Sequence, residues 1–440
     1  MSASPNTVRI GSGAGFAGDR IGPAVDLLRD GGLDDLVLEC LAERTIALGQ
    51  QRRRLDPTSG YDERTRERFA ALLPHALARG TRLISNLGAA NPLGAGEVVL
   101  EVARGLGLAC TVAVVTGDDV LAQLDLDQPC LEDGRPLHER GEIVSANAYI
   151  GAETLMPGLR AGADVVITGR VADPSLFVAA LADRHGWDLD DTDVIAAGTL
   201  VGHLLECGTQ VTGGYFADPG RKDVPGLADL GYPFADVAAD GSVELGKLAV
   251  TGGVLDRRTV REQLLYEISD PGAYLTPDVS LGLYDVRIEE TGADRVRVHG
   301  ARGATRPEQL KTSVGYRAGH RAEAGISYAG PGCVDRARLA ASVVRERLAA
   351  SGTPIRVELT GSLSEGDGHH GEIEHARLRV AGMASSLDQA QHICHEVESL
   401  YTNGPAGGGG VRTSASEVIG IVSTMVDRDR VTPTTTILEA

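Results

Sequence analysis

Aromatic side chains are scarce in this chain. Phenylalanine, tryptophan and tyrosine make up 4% of its 440 residues, and Trp187 is the single tryptophan. Proteins that grip single-stranded nucleic acid stack bases on aromatic rings, so that class is disfavoured. Lysine is scarcer still: Lys222, Lys247 and Lys311 are the only ones, and arginine carries the remaining positive charge. Acidic residues outnumber basic ones by 61 to 42, leaving a net charge of -19. A surface this negative repels phosphate backbones and anionic lipid, which argues against nucleic acid and membranes as partners. A small anionic ligand would need a local cationic site. The six cysteines, Cys40, Cys110, Cys130, Cys207, Cys333 and Cys394, have neither CxxC nor metal-ligand spacing. They read as buried thiols of a reducing compartment, with no metal expected. No apolar run approaches the ~18 residues of a membrane span. The opening MSASPNTVRIGSG lacks the basic and apolar stretches of a signal peptide, so the expectation is a cytoplasmic protein.

What remains is globular composition, with 42% hydrophobic and 23% charged residues, in a chain long enough for two or three domains. The first half alternates short apolar runs with amphipathic stretches. Strands are predicted at Thr7–Ile10, Asp35–Cys40, Arg82–Ser85, Cys110–Val115, Ile143–Ala148 and Ala163–Thr168. These runs are apolar on both faces, as strands covered on both sides must be. Their alternation with helical stretches implies a parallel, Rossmann-like sheet over residues 1–280. Residues 281–440 change texture: LGLYDVRIEE and RVRVHG alternate apolar and polar positions, as half-exposed antiparallel strands do. A strand–helix–strand–strand–helix–strand order from Gly325 to Thr424 predicts an α+β, ferredoxin-like domain. Ser386 and Gln389 form a capping-box pattern for its second helix, and SEGDGHHGE (364–372) reads as a solvated turn. Such a small domain often supplies an oligomer edge, so a homo-oligomer is expected on fold-level grounds.

Ligands of open parallel sheets bind beyond the carboxyl ends of the strands. The loops predicted there carry the candidate residues. In GSGAGFAG, Gly11, Ser12, Gly13 and Gly15 could present backbone N–H groups to a phosphate or carboxylate, or could form a plain tight turn. The spacing departs from the GxGxxG fingerprint, so no tightly bound cofactor is expected. TGRVADPS (168–175) delivers Arg170, suited to a bidentate grip on an anion, and Asp173, suited to base work or to capping the next helix. An internal Arg170–Asp173 pair is the alternative. GHLLECG (202–208) places His203, Glu206 and Cys207 within one helical turn or so. His203 with Glu206 suits proton transfer near neutral pH, and Cys207 could instead be a thiolate nucleophile; a surface pair and a packed thiol are the plain readings. Asn86, Asn91 and Asn147 could donate to an oxyanion or simply build turns. GPAGGGGVR (404–412) is a mobile loop or a backbone anion nest, and Lys311 and Tyr328 could face the crevice.

TGRVADPS (168–175), GHLLECGTQVTGGYFADPG (202–220) and EQLLYEISDPGAYLTPDV (262–279) resemble the acyclic-terpene-utilisation, AtuA-like, family. GSGAGFAGDR (11–20), LAERT (41–45), GTRLISNLGAANP (80–92), ISYAG (326–330) and YTNGPAGGGG (401–410) extend the likeness over nearly the whole chain. Relatives are associated with bacterial breakdown of citronellol-type branched acids through acyl-CoA intermediates. The resemblance implies a branched-carboxylate or acyl-thioester context and carries over no catalytic residue.

Together these readings point to a lyase or hydratase acting on a branched carboxylate or its CoA thioester, with CoA present only as part of the substrate. Arg170 and residues 11–15 would anchor the anion, with Asn91, Asn147 and Lys311 as further binding candidates. His203 with Glu206, or else Asp173, would move the proton alpha to the carbonyl, and Asn86 would hold the enolate oxygen. A thioester hydrolase or acyl transferase using Cys207, and a non-catalytic binding subunit of an acyl-CoA pathway, are the alternatives.

Overall fold

The computed structural model describes residues 7–349, 352–362 and 374–440. The protein is mixed α/β and divides into two compact units. The first comprises the described residues up to Leu137, then Val144–Gly315 and Ile421–Ala440; the second comprises His138–Ile143 and Tyr316–Gly420. The contact boundary therefore falls near residue 315, not at 280, and the chain returns to the first unit at its end.

The first unit begins with β1 (Thr7–Ala14), α1 (Gly22–Asp30), β2 (Asp35–Leu38), α2 (Glu43–Leu55), α3 (Thr65–Arg79), β3 (Arg82–Ser85), α4 (Pro92–Leu106) and β4 (Thr111–Thr116). There follow β5 (Ile143–Ala148), α5 (Met156–Arg160), β6 (Val165–Thr168), α6 (Asp173–His185) and α7 (Thr192–Leu205). β1, β2, β3, β6 and β4 lie side by side in that order, all parallel. Every residue of β2, β3 and β6 is buried, which matches apolar side chains on both faces. Gly80 ends α3 at φ 68°, the left-handed cap that glycine supplies most readily.

Beyond β1 the sheet continues with antiparallel strands. These are β7 (Pro233–Ala238) and β8 (Val243–Lys247), then, after α8 (Arg257–Leu264), β9 (Tyr274–Leu275), β10 (Ser280–Gly282), β11 (Arg287–Gly292), β12 (Arg295–His299) and β13 (Arg302–Ala304). β7, β8, β12 and β11 extend the large sheet antiparallel, while β13, β10 and β9 form a small sheet of their own. The antiparallel texture predicted after residue 281 is present, but β11 and β12 belong to the first unit's sheet.

The residues of β14 (Gln309–Ala329) are divided between the units, as are those of β17 below. The second unit continues with α9 (Cys333–Ala349), β15 (Ile355–Ser362), β16 (His375–Ala384), α10 (Leu387–Glu398) and β17 (Gly408–Asp427). Its strands are ordered β15, β16, β14, β17, with β16 antiparallel to both neighbours. The two helices and the sheet share one apolar core that includes Ile326, Val344, Leu378 and Ile393. Ser386 caps α10 by accepting from Gln389 N at 3.3 Å, while the Gln389 side chain reaches back to Ser385 N, one residue before the cap. The last strand, β18 (Thr434–Glu439), joins β4 antiparallel and closes that edge of the large sheet.

Four expectations need correction or placement. β5 is a strand, but it pairs with β14 and not with the parallel sheet; an apolar run shows that a strand exists, not who its partner is. The predicted turn at 11–15 is strand as far as Ala14. The glycines from Gly408 open β17 and do not form a free loop. The 364–372 loop lies outside the described residues. No described helix is long and apolar enough to cross a membrane.

Candidate functional site

The carboxyl ends of β2, β3 and β6 bring Glu39, Asn86 and Arg170 together. Arg170 is wholly buried. Its Nη1 donates to the Leu41 carbonyl, and its Nε donates to the Val171 carbonyl at 3.0 Å. Its Nη2 donates to the Val171 carbonyl and to Asp173 Oδ1. The Tyr149 ring lies 4.4 Å from the guanidinium carbon. The Arg170 backbone N–H donates to Asp118 at 2.9 Å, and Asn147 Nδ2 donates to the same carboxylate at 2.8 Å. Asn86 donates to Glu39 at 2.9 Å and accepts from Cys40 N at 2.7 Å.

Around this cation gather Asp173, Glu39 and Glu43, with Glu206 within electrostatic reach of Asp173 and Glu39. Burial pushes the Asp173 carboxyl well above the carboxylate range although Arg170 opposes it, and Glu39 shifts the same way for the same reason. Asp118 is pushed up to about 6 by burial, against the bonds from Arg170 N and Asn147. Burial also works to raise Glu43, but the Tyr149 hydroxyl, 2.6 Å away, a backbone hydrogen bond, Lys311 Nζ, 3.2 Å away, and Arg170 together outweigh it and hold Glu43 at about 2.

A cavity of about 260 Å³ opens beside this cluster. Asp173, Tyr149, Tyr274 and Lys311 supply its polar wall; Leu310, Leu275, Pro174, Pro277 and Met425 supply much of the rest. Such a cavity, mostly apolar with a few convergent polar groups, is the usual form of a small-molecule site.

The sequence model of the family described as "Acyclic terpene utilisation family protein AtuA" matches residues 8–437. The chain belongs to this family. No curated protein matches it.

Of the residues singled out from the sequence of this AtuA-family chain, Asp173 and Lys311 line the cavity. Arg170 does not; its donors are engaged by protein acceptors, so the internal-pair reading describes it. Asn86 and Asn147 join the cluster with their carboxamides already bonded. Asn91 instead caps α4, accepting from Gly94 N at 3.1 Å. Gly11 and Ser12 pair with Leu36 and Val37 of β2, and Gly13 lies between paired residues of the same strand, packed against Leu36. The Gly15 N–H is taken by Asp19 at 2.8 Å. Gly15 does meet the 202–208 segment: a Cβ there would lie 2.2 Å from the Cys207 carbonyl carbon, so only glycine permits the approach. Tyr328 is wholly buried in the second unit's core.

His203 is buried at the end of α7, with Nδ1 3.1 Å from Glu206 Oε1 and Nε2 3.1 Å from the Leu264 carbonyl. A carbonyl only accepts, so Nε2 donates to Leu264 and Nδ1 is left to Glu206. The ring stands 5.4 Å from Tyr274, which lines the cavity; His203 itself does not. Cys207 is half-buried, and burial followed by the Glu206 charge pushes its thiol upward, the opposite of an activated thiolate. Among the described residues no cluster of three or more His, Cys, Asp or Glu side chains could hold a metal.

Sequence reasoning missed Tyr149, Tyr274, Glu43 and Asp118. Two of these sit in stretches already quoted, Glu43 in LAERT and Tyr274 in EQLLYEISDPGAYLTPDV, and Tyr149 directly follows the strand predicted at Ile143–Ala148.

Proposed function

We propose that this AtuA-family protein is an enzyme of lyase or hydratase type acting on a branched carboxylate or its acyl thioester, with Asp173 moving the proton alpha to the carbonyl. One observation carries the reading: Asp173 is a carboxylate of raised proton affinity on the wall of a mostly apolar cavity that also presents a lysine. A carboxyl whose proton affinity is raised by burial is suited to serve as acid and as base. Arg170 holds one of its oxygens and orients it, which makes Arg170 a positioning residue. Lys311 brings a positive charge to the same wall, where it can pair with a substrate carboxylate or with the oxygen of a developing enolate. The apolar wall suits a branched hydrocarbon chain. His203 and Glu206 act on the site through Tyr274. For the architecture, we read the parallel strands as a Rossmann-like core and the second unit as ferredoxin-like; the order β15, β16, β14, β17 supports the latter.

Asp173→Asn tests the reading on a panel of short branched carboxylates and their CoA thioesters. The wild type should turn over at least one member. The variant should lose ~10²–10⁴-fold in kcat, the range of a general acid–base group, with KM little changed. A variant of full activity removes Asp173 from the chemistry.

A further inference from the structure

A larger cavity of the first unit, about 440 Å³, shares Leu310 with the Asp173 cavity and has a different character. Two arginines line it, Arg306 and Arg428, with Glu153 as the single carboxylate among the lining residues. Arg428 is fixed in place. Its Nε donates to the Pro307 carbonyl at 3.0 Å, its Nη2 to the Pro277 carbonyl, and its Nη1 to Glu153 at 3.1 Å. Arg306 is loosely held, its nearest counter-charge being Glu153 at 4.0 Å. Two guanidinium groups thus share one cavity with Glu153, within walls that include Ile150, Pro157 and Val431, and Asp278 stands within electrostatic reach of Arg428. Burial lowers the proton affinity of Arg428, and Arg306 adds to that against the pull of Glu153 and Asp278.

We propose that this cavity binds a phosphate group, gripped by the fork of Arg306 and drawn by the fixed charge of Arg428. The guanidinium fork matches the oxygens of a phosphate, and an apolar surround strengthens the pairing. The apolar wall favours a phosphate ester over the free ion. The inference stands apart from the chemistry assigned to Asp173, since neither arginine lines that cavity and neither Asp173 nor Lys311 lines this one.

The test is calorimetric titration of the full chain with inorganic phosphate and, separately, with butyl phosphate, at low ionic strength. Both should bind saturably, butyl phosphate more tightly. Arg306→Gln should weaken both by about tenfold, the size expected for one charge-assisted contact. Its melting temperature should hold, because Arg306 is anchored only by the distant Glu153. Asp173→Asn should bind both ligands as the wild type does, whether or not it retains turnover. Equal affinity for the two ligands would support the site and name inorganic phosphate as its occupant. No saturable binding, unchanged affinity in Arg306→Gln, or a loss in Asp173→Asn that places the anion in the other cavity would each overturn the proposal.

Discussion

The two units treat charge in opposite ways. The first buries many charges: Arg170, Glu39, Asp118, His203 and Glu206 in or beside the Arg170 cluster, and Asp35, Arg68, Arg82 and Lys247 among those elsewhere. Among the described residues the second unit buries no charged side chain. Its ion pairs, such as Arg379 with Glu323 at 3.0 Å and Glu358 at 2.7 Å, lie at the surface. Taking a charge out of water is expensive and repaid only by close partners. A fold that needed only stability would resemble the second unit, whose core is apolar apart from the Tyr328 hydroxyl. The first unit maintains such costly arrangements in several places, and the one at the carboxyl ends of its parallel strands is where the Asp173 cavity opens.

Four perturbations should break or sharpen this contrast. The largest effect is expected from Arg170→Ala, which strands Asp173 and Glu39 without their cation. Breaking a buried pair in this way removes ~3–5 kcal/mol, to be read from urea unfolding. Next, Leu378→Ala in the second unit's core should remove ~2–5 kcal/mol by leaving a cavity, with turnover per folded molecule unchanged. If Leu378→Ala abolished the proposed turnover while Arg170→Ala left it intact, the functional asymmetry would be reversed.

The third effect is on pH dependence. Burial first of all raises Asp118 to about 6 and Asp278 to about 7, the Glu153 charge adding to the shift at Asp278. Each carboxyl binds its proton more tightly in the folded chain than in the unfolded one. Its contribution to stability is therefore whole below the ordinary carboxylate range and is lost as pH rises through 6 and 7. Glu43, held at about 2, works the other way: its contribution is present above the ordinary range and lost as pH falls towards 2. Melting temperature should accordingly decline between roughly pH 4 and pH 7, and Asp118→Asn should flatten part of that decline. An unaltered slope would contradict the burial assigned to Asp118. The smallest effect is expected from Arg379→Ala, whose exposed ion pairs should leave stability within measurement error.

The sequence was most legible where structure is local. Arg82–Ser85 is a strand with the bounds its apolar run suggests, Gly80 is the left-handed cap of α3, and Ser386 caps α10. Arg170 and Asp173, three residues apart, are an ion pair. Local pattern says nothing of partners far along the chain. The apolar run at 143–148 is a strand whose mate is β14, and β18 reaches back more than 300 residues to β4. The same holds at the site. Lys311 reaches the cavity because its carbonyl accepts from Tyr149 N at 2.9 Å, a contact between segments 162 residues apart that no spacing rule encodes. The glycines at 11–13 misled because closely spaced glycines suit a turn, yet here they let β1 lie close against Leu33 and Leu36.

The most direct test follows the proton itself. Wild-type protein is incubated in deuterium oxide with a branched acyl thioester that it turns over, and the alpha position is followed by proton NMR. The account predicts that the alpha proton exchanges with solvent in the presence of the wild type and stays in place with folded Asp173→Asn. Exchange that persists at the wild-type rate in Asp173→Asn, or a wild type that turns the thioester over without touching the alpha proton, would contradict it.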